Sequence, residues 1–87
     1  MNISVRIEIF KEEDVYVALS PELNISSFGD TIGDARESFR EALSAFIQTC
    51  LEMETLQEVL EEAGFVEKNG SWEPRQPVME EKLAVAM

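Results

Sequence analysis

FGDTIGDARESFREALSAFIQTCLEM, residues 28–53, decides the fold. Ile32, Ala35, Phe39, Ala42, Leu43, Phe46, Ile47, Cys50 and Leu51 recur at three- and four-residue steps, the spacing of one apolar stripe on an α-helix. Asp34, Arg36, Glu37, Arg40, Glu41, Gln48 and Glu52 fall mostly off that stripe. Thr31 followed three residues later by Asp34 has capping-box spacing: the hydroxyl can cap the helix while the carboxylate reaches back and favours the helix dipole. At about 1.5 Å per residue, a helix over residues 32–53 spans about 33 Å, enough to cover a small sheet.

Strands precede it. Residues 2–10 alternate strictly, with Ile3, Val5, Ile7 and Ile9 on one face and Ser4, Arg6 and Glu8 on the other, the pattern of a half-buried strand. Lys11-Glu12-Glu13-Asp14 reads as a charged hairpin turn. Residues 15–20 return as a second strand, Val15, Val17 and Leu19 facing one way and Tyr16 and Ala18 the other. Pro21 cannot donate to a ladder and ends that strand, so residues 21–24 connect to a short third strand over 25–28. Gly29 and Asp30 supply the turn before the Thr31 cap.

Beyond the helix, Thr55 and Glu58 repeat the capping-box spacing and open a shorter helix with Leu56, Val59, Leu60 and Ala63 on its stripe. Gly64 stands where a left-handed cap ends it, with Phe65 placed for the accompanying apolar contact. Asn69-Gly70, set between residues 65–68 and 71–73, is a hairpin signal because both central residues of that turn need positive φ. Trp72 is expected to stabilise this hairpin or to close the core edge. Residues 1–74 therefore form one α+β domain: a small antiparallel three-stranded sheet covered by one long helix, with a further strand or hairpin. Residues 75–87, which begin next to Pro74 and contain Pro77, are either a tail or a last strand.

Composition narrows the chemistry. The 87 residues include no histidine and one cysteine, which leaves no internal disulfide and none of the zinc or haem sites built on imidazole. A cytoplasmic location is expected, since no apolar run is long enough for a bilayer and the opening residues lack the pattern of a signal peptide. Seven basic residues against eighteen acidic give a net charge of −11. That balance disfavours direct binding to DNA or another phosphate backbone and suits a basic protein partner, although solubility alone also explains it. A chain this small buries a modest core, so self-association is expected to help hold the fold.

Candidate catalytic groups are sparse. A two-metal nuclease needs carboxylates converging from neighbouring elements, and only Glu8 with Asp34 or Glu37 qualifies loosely; a solvated acidic face explains the same residues. Cys50 lies on the apolar stripe with no histidine to activate it, the setting of a buried structural thiol. Ser20, Ser26 and Ser27 lack a base. Gly29 alone makes no phosphate loop. No catalytic residue, cofactor or metal is expected. Tyr16 and Phe28 each either pack under the helix or stand on the open face of the sheet as anchors for a partner.

Taken together, Tyr16-Val17-Ala18-Leu19-Ser20-Pro21-Glu22-Leu23, Ser27-Phe28-Gly29-Asp30-Thr31 and residues 34–43 resemble the N-terminal domain of HicB-type antitoxins. The likeness covers about residues 3–53: a Tyr-Val-x-x-x-Pro-x-Leu segment, a Gly-Asp-Thr turn and a helix with the rhythm Glu-Ala-x-x-x-x-x-Glu-Ala-Leu, present here as Asp34-Ala35 and Glu41-Ala42-Leu43. The resemblance implies a partial RNase H-like fold, with a strand lying beside the first. It also implies a partner, a small basic HicA-like ribonuclease toxin that cleaves mRNA and is silenced when the antitoxin covers it. On that reading Tyr16, Glu22, Phe28 and Asp30 are the expected partner contacts, and a homo-oligomer, dimer or tetramer, is the expected assembly. Two departures stand out. Residues 54–87 are too few and too acidic for the DNA-binding domain many HicB proteins carry, and Leu23-Asn24-Ile25-Ser26 replaces the family's Pro-Gly-Cys type of loop. The alternative functions are a stand-alone HicB-like domain acting as a structural, regulatory or ligand-binding oligomer, and a metal-dependent nuclease.

Overall fold

The computed structural model describes residues 1–87. The fold is α+β, with element order β1 (Asn2–Ile3), β2 (Glu8–Glu12), β3 (Val15–Ser20), β4 (Ile25–Gly29), α1 (Ile32–Glu52), α2 (Leu56–Glu62), β5 (Phe65–Lys68) and β6 (Ser71–Pro74). β2, β3 and β4 form an antiparallel sheet with β3 at its centre. β1, β6 and β5 form a second, mixed sheet in which β6 runs parallel to β1 and antiparallel to β5.

The strand expected over residues 2–10 is interrupted. Its first two residues pair with β6, and the Ser4 N–H still donates to the Trp72 carbonyl at 2.9 Å. The chain then crosses to the other sheet and resumes pairing at Glu8. The alternation survives the break: Ile3, Val5, Ile7 and Ile9 stay half-buried while Ser4, Arg6, Glu8 and Phe10 are exposed. Val5 packs on both of the apolar clusters described below, so the interruption is the place where one strand serves two sheets. The hairpin turn is also tighter than expected. Lys11 and Glu12 remain in β2, and only Glu13 and Asp14 lie between the paired residues Glu12 and Val15, with Glu13 at φ 55°.

The passage from β4 into α1 is the tightest point of the fold. The Thr31 hydroxyl accepts the Asp34 N–H at 3.0 Å, which forms the Thr31 half of the capping box. A Cβ on Gly29 would lie 2.5 Å from the Ala35 nitrogen and 2.7 Å from the Asp34 carbonyl carbon, so only glycine lets the helix start sit this close to its strand. Beneath the first turns Ala18 and Ala35 are completely buried, with Phe39 beside them and Val5, Ile7, Ile9, Tyr16, Ile25 and Leu43 packed around. The far half of α1 belongs to a second cluster of Cys50, Leu56, Leu60, Phe65 and Trp72, supported by Ile3, Leu23, Phe46 and Ile47. Trp72 is thus a core residue, and Cys50 is a buried thiol. Ile32 and Leu51, expected on the buried stripe, are about half exposed, while Ala35, Phe39 and Cys50 are its buried members.

The junction of the two helices departs from the expected second capping box. Glu54 takes φ 57°, its N–H donates to the Leu51 carbonyl at 3.1 Å, and the Thr55 N–H donates to the Cys50 carbonyl at 2.9 Å. Those two bonds are a Schellman cap with glutamate in the left-handed position that glycine usually fills. Thr55 is held by this arrangement, so its hydroxyl leans back toward the Cys50 carbonyl (3.5 Å) and does not cap α2. The other turns follow the sequence. Gly64 ends α2 at φ 91°, and Asn69 (φ 52°) and Gly70 (φ 83°) make the two-residue hairpin that joins β5 to β6. Residues 75–87 contain neither helix nor strand, which removes the last-strand reading, and every one of them is exposed.

Glycine chemistry at these positions can be weighed by urea or thermal unfolding. Gly29→Ala is expected to cost about 1–3 kcal/mol by overpacking. Gly33→Ala, whose new methyl meets nothing nearer than the Thr31 hydroxyl at 3.9 Å, is expected to be neutral or stabilising. Glu54→Gly is expected to raise stability by about 0.5–1 kcal/mol through relief of the left-handed strain.

Candidate functional site

Helix α1 covers only one face of the β2-β3-β4 sheet, and sterics decide which. The covered face carries the registered row Ile9, Ala18, Ser27 and the row Lys11, Tyr16, Gly29. Ala18, Ser27 and Gly29 are small, which is what allows Ala35 and Phe39 to approach the strands. Ile9, Tyr16 and Ile25 share that covered face, packed around the small residues, and the other face is left without a helix. There, Phe10, Val17 and Phe28 stand directly opposite one another across the three strands, flanked by Leu19 between Glu8 and Ser26, and by Val15 opposite Glu12.

This open face is apolar at its centre and acidic at its margin. Phe28 is 68% exposed and Phe10 49%, while Val15, Val17 and Leu19 are half-buried by their neighbours. Glu12, Val15, Val17, Ser26 and Phe28 line a shallow depression on it. Glu8 and Glu12 border it along β2, with Glu13 and Asp14 exposed in the adjoining turn.

The four residues expected to meet a partner do not form one cluster. Phe28 lies on the open face. Tyr16 lies on the opposite side, packed with the Ala18, Ala35 and Phe39 cluster and with the Lys11 ammonium 5.9 Å from its ring centre. It was displaced from the open face by its register with Gly29, whose missing side chain makes room for it under the helix. Asp30 is exposed in the turn before α1. Glu22 is tied up inside the molecule. Its Oε2 accepts from the Arg6 guanidinium at 2.8 Å and its other oxygen is buried with no hydrogen-bond partner. That hydrogen bond, and then the charge of Glu22, holds the Arg6 guanidinium above its ordinary pKa, so it stays a cation throughout the working pH range. The pair fastens the β3–β4 connection to the crossing segment between β1 and β2. The same connection is braced by Ser20, whose hydroxyl accepts the Leu23 N–H at 3.2 Å and whose carbonyl accepts the Asn24 N–H at 2.9 Å.

Phe10 and Val17 are the residues of this face that sequence reasoning did not single out. The signal was available at Phe10, the one large apolar side chain on the otherwise polar side of residues 2–10. No group of three or more His, Cys, Asp or Glu side chains is placed to hold a metal ion, and Glu8 lies on the sheet face turned away from the helix that carries Asp34 and Glu37. No helix is long and apolar enough to cross a membrane. Comparison with protein-family profiles, with curated proteins and with solved structures finds no match.

Exposure distinguishes surface from core quantitatively. Phe28→Ser is expected to change unfolding free energy by less than about 0.5 kcal/mol, the usual range for an exposed site, whereas Phe39→Ser should cost about 3–5 kcal/mol or prevent folding. Urea titrations of the two variants followed by circular dichroism read the contrast directly.

Proposed function

We propose that this chain is a HicB-like antitoxin, a non-catalytic domain that binds a small basic mRNA-cleaving toxin of the HicA type and silences it by occlusion. The observation that carries the reading is the open face of the β2-β3-β4 sheet: the row Phe10, Val17, Phe28 bordered by Glu8 and Glu12, in a chain of net charge −11. The division of labour follows from general physics. Desolvation of the two phenylalanines would supply affinity, and the acidic margin would steer a cationic partner and set its orientation. A basic ribonuclease binds RNA phosphates through the same cationic surface, so an acidic cover competes with substrate by occupying it. The sequence likeness over residues 3–53 supports the same reading.

Expression with a small basic protein encoded by the adjacent reading frame tests it. The expected result is a stable complex that restores growth and whose affinity falls as salt is raised. Phe28→Lys is expected to weaken that complex by about tenfold or more, by removing an apolar anchor and placing a cation against a cationic partner. Absence of any complex with such a neighbour overturns the proposal.

A further inference from the structure

The single chain exposes more surface than a folded protein of its mass should. A compact monomer of 9.8 kDa exposes about 5,200 Å², against 6830 Å² here. Its Cα radius of gyration is 15.1 Å, where about 12 Å is expected for 87 residues. Two exposed apolar surfaces stand out. One is the open sheet face. The other is residues 75–87, where Val78, Met79, Leu83, Val85 and Met87 all project into solvent, Leu83 at 81% and Val85 at 77% exposure.

We propose that two copies of this chain form a two-fold dimer by exchanging these segments, Leu83, Val85 and Met87 of each copy covering Phe10, Val17 and Phe28 of the other. Charge selects the occupant. Residues 75–87 hold two bases, Arg75 and Lys82, and two acids, Glu80 and Glu81, so the whole net charge of −11 belongs to residues 1–74. Two such acidic bodies repel on close approach, and this neutral segment, exposed along its whole length, meets the acidic margin without that cost. The pattern fits as well. Leu83-Ala84-Val85-Ala86-Met87 alternates large and small, so an extended strand would put all its large side chains on one side.

Reach agrees. The segment leaves β6 tethered by the Arg75 N–H to the Gly64 carbonyl at 3.3 Å and passes Arg6, beside which lies Glu80. Ten extended residues beyond Pro77 span about 33 Å, and three strands about 4.8 Å apart are well within that length. Within its own chain the segment covers nothing apolar, and both surfaces stay exposed. A two-fold axis satisfies both at once, since each copy contributes one segment and one face. On the antitoxin reading, which this last consequence alone rests on, the exchanged segment and the toxin compete for one face, and toxin binding must displace the segment.

Sedimentation equilibrium of the full chain without any partner tests the dimer independently of the toxin. A mass about twice 9.8 kDa is expected. A Leu83→Glu/Val85→Glu variant and a Phe28→Lys variant, all three sites being exposed in the single chain, should each keep the native circular dichroism. Each should raise the dimer dissociation constant about a hundredfold or more. An equimolar mixture of the two should recover a dimer, because one unaltered segment again meets one unaltered face. A monomeric full chain, a dimer indifferent to either variant, or a mixture that stays monomeric overturns the exchange, whatever the toxin experiment returns.

Discussion

The contact on which the fold depends is the approach of the α1 backbone to Gly29, where a methyl group would come within 2.5 Å of the Ala35 nitrogen. Two residues separate the strand from the helix, and the Thr31 hydroxyl fixes the helix direction by taking the Asp34 N–H. A helix launched so close to the sheet needs small residues directly beneath its first turns. Ala18 and Ala35 have no exposed surface at all, Ile9, Tyr16 and Ile25 pack around them, and Phe10, Val17 and Phe28 fall on the face the helix leaves open. The site is therefore a by-product of the packing that makes the fold.

α1 also joins two otherwise separate cores. Its first half closes over Ala18 and Phe39, its second over Cys50, Leu60 and Trp72, and Val5 reaches both clusters from the interrupted strand. Each cluster is small, in keeping with the limited burial open to a chain of 87 residues. The Arg6–Glu22 pair at 2.8 Å ties the crossing segment to the β3–β4 connection, but it is half open to solvent on the arginine side, so packing carries most of the cohesion. A fold with so little interior gains disproportionately from covering exposed apolar surface, whether by a basic partner or by a second copy.

There is no histidine, the one cysteine is buried in a core cluster, and the carboxylates are dispersed over strands, turns and helix faces with no group of three placed to hold a metal ion. What the surface offers is a three-strand apolar row with an acidic border and an extended neutral segment. Both proposals use the same row. The antitoxin reading takes its electrostatics from the acidic body, and the proposed dimer takes its selectivity from an exposed segment without net charge.

Local chemistry made much of this legible before folding. The alternation of residues 2–10, the Thr31 cap, the 32–53 stripe, the stop at Gly64 and the Asn69-Gly70 turn all depend on neighbours a few residues away, and all reappear in the structure. Three matters do not depend on neighbours. The break between β1 and β2 arises because β6 claims one end of the strand and β3 the other. Glu54 enters the left-handed region because α2 must fold back beside α1 at once, which takes Thr55 away from its expected cap. Tyr16 and Phe28 part company because Tyr16 is paired with Gly29 and Phe28 with Val17. By itself the sequence determined the elements and most of their ends, since propensity, capping and turn geometry act over three or four residues. Only the tertiary structure decided which sheet face the helix would take, because that turns on whether Ala18 of β3 and Ser27 and Gly29 of β4 fall in register beneath it.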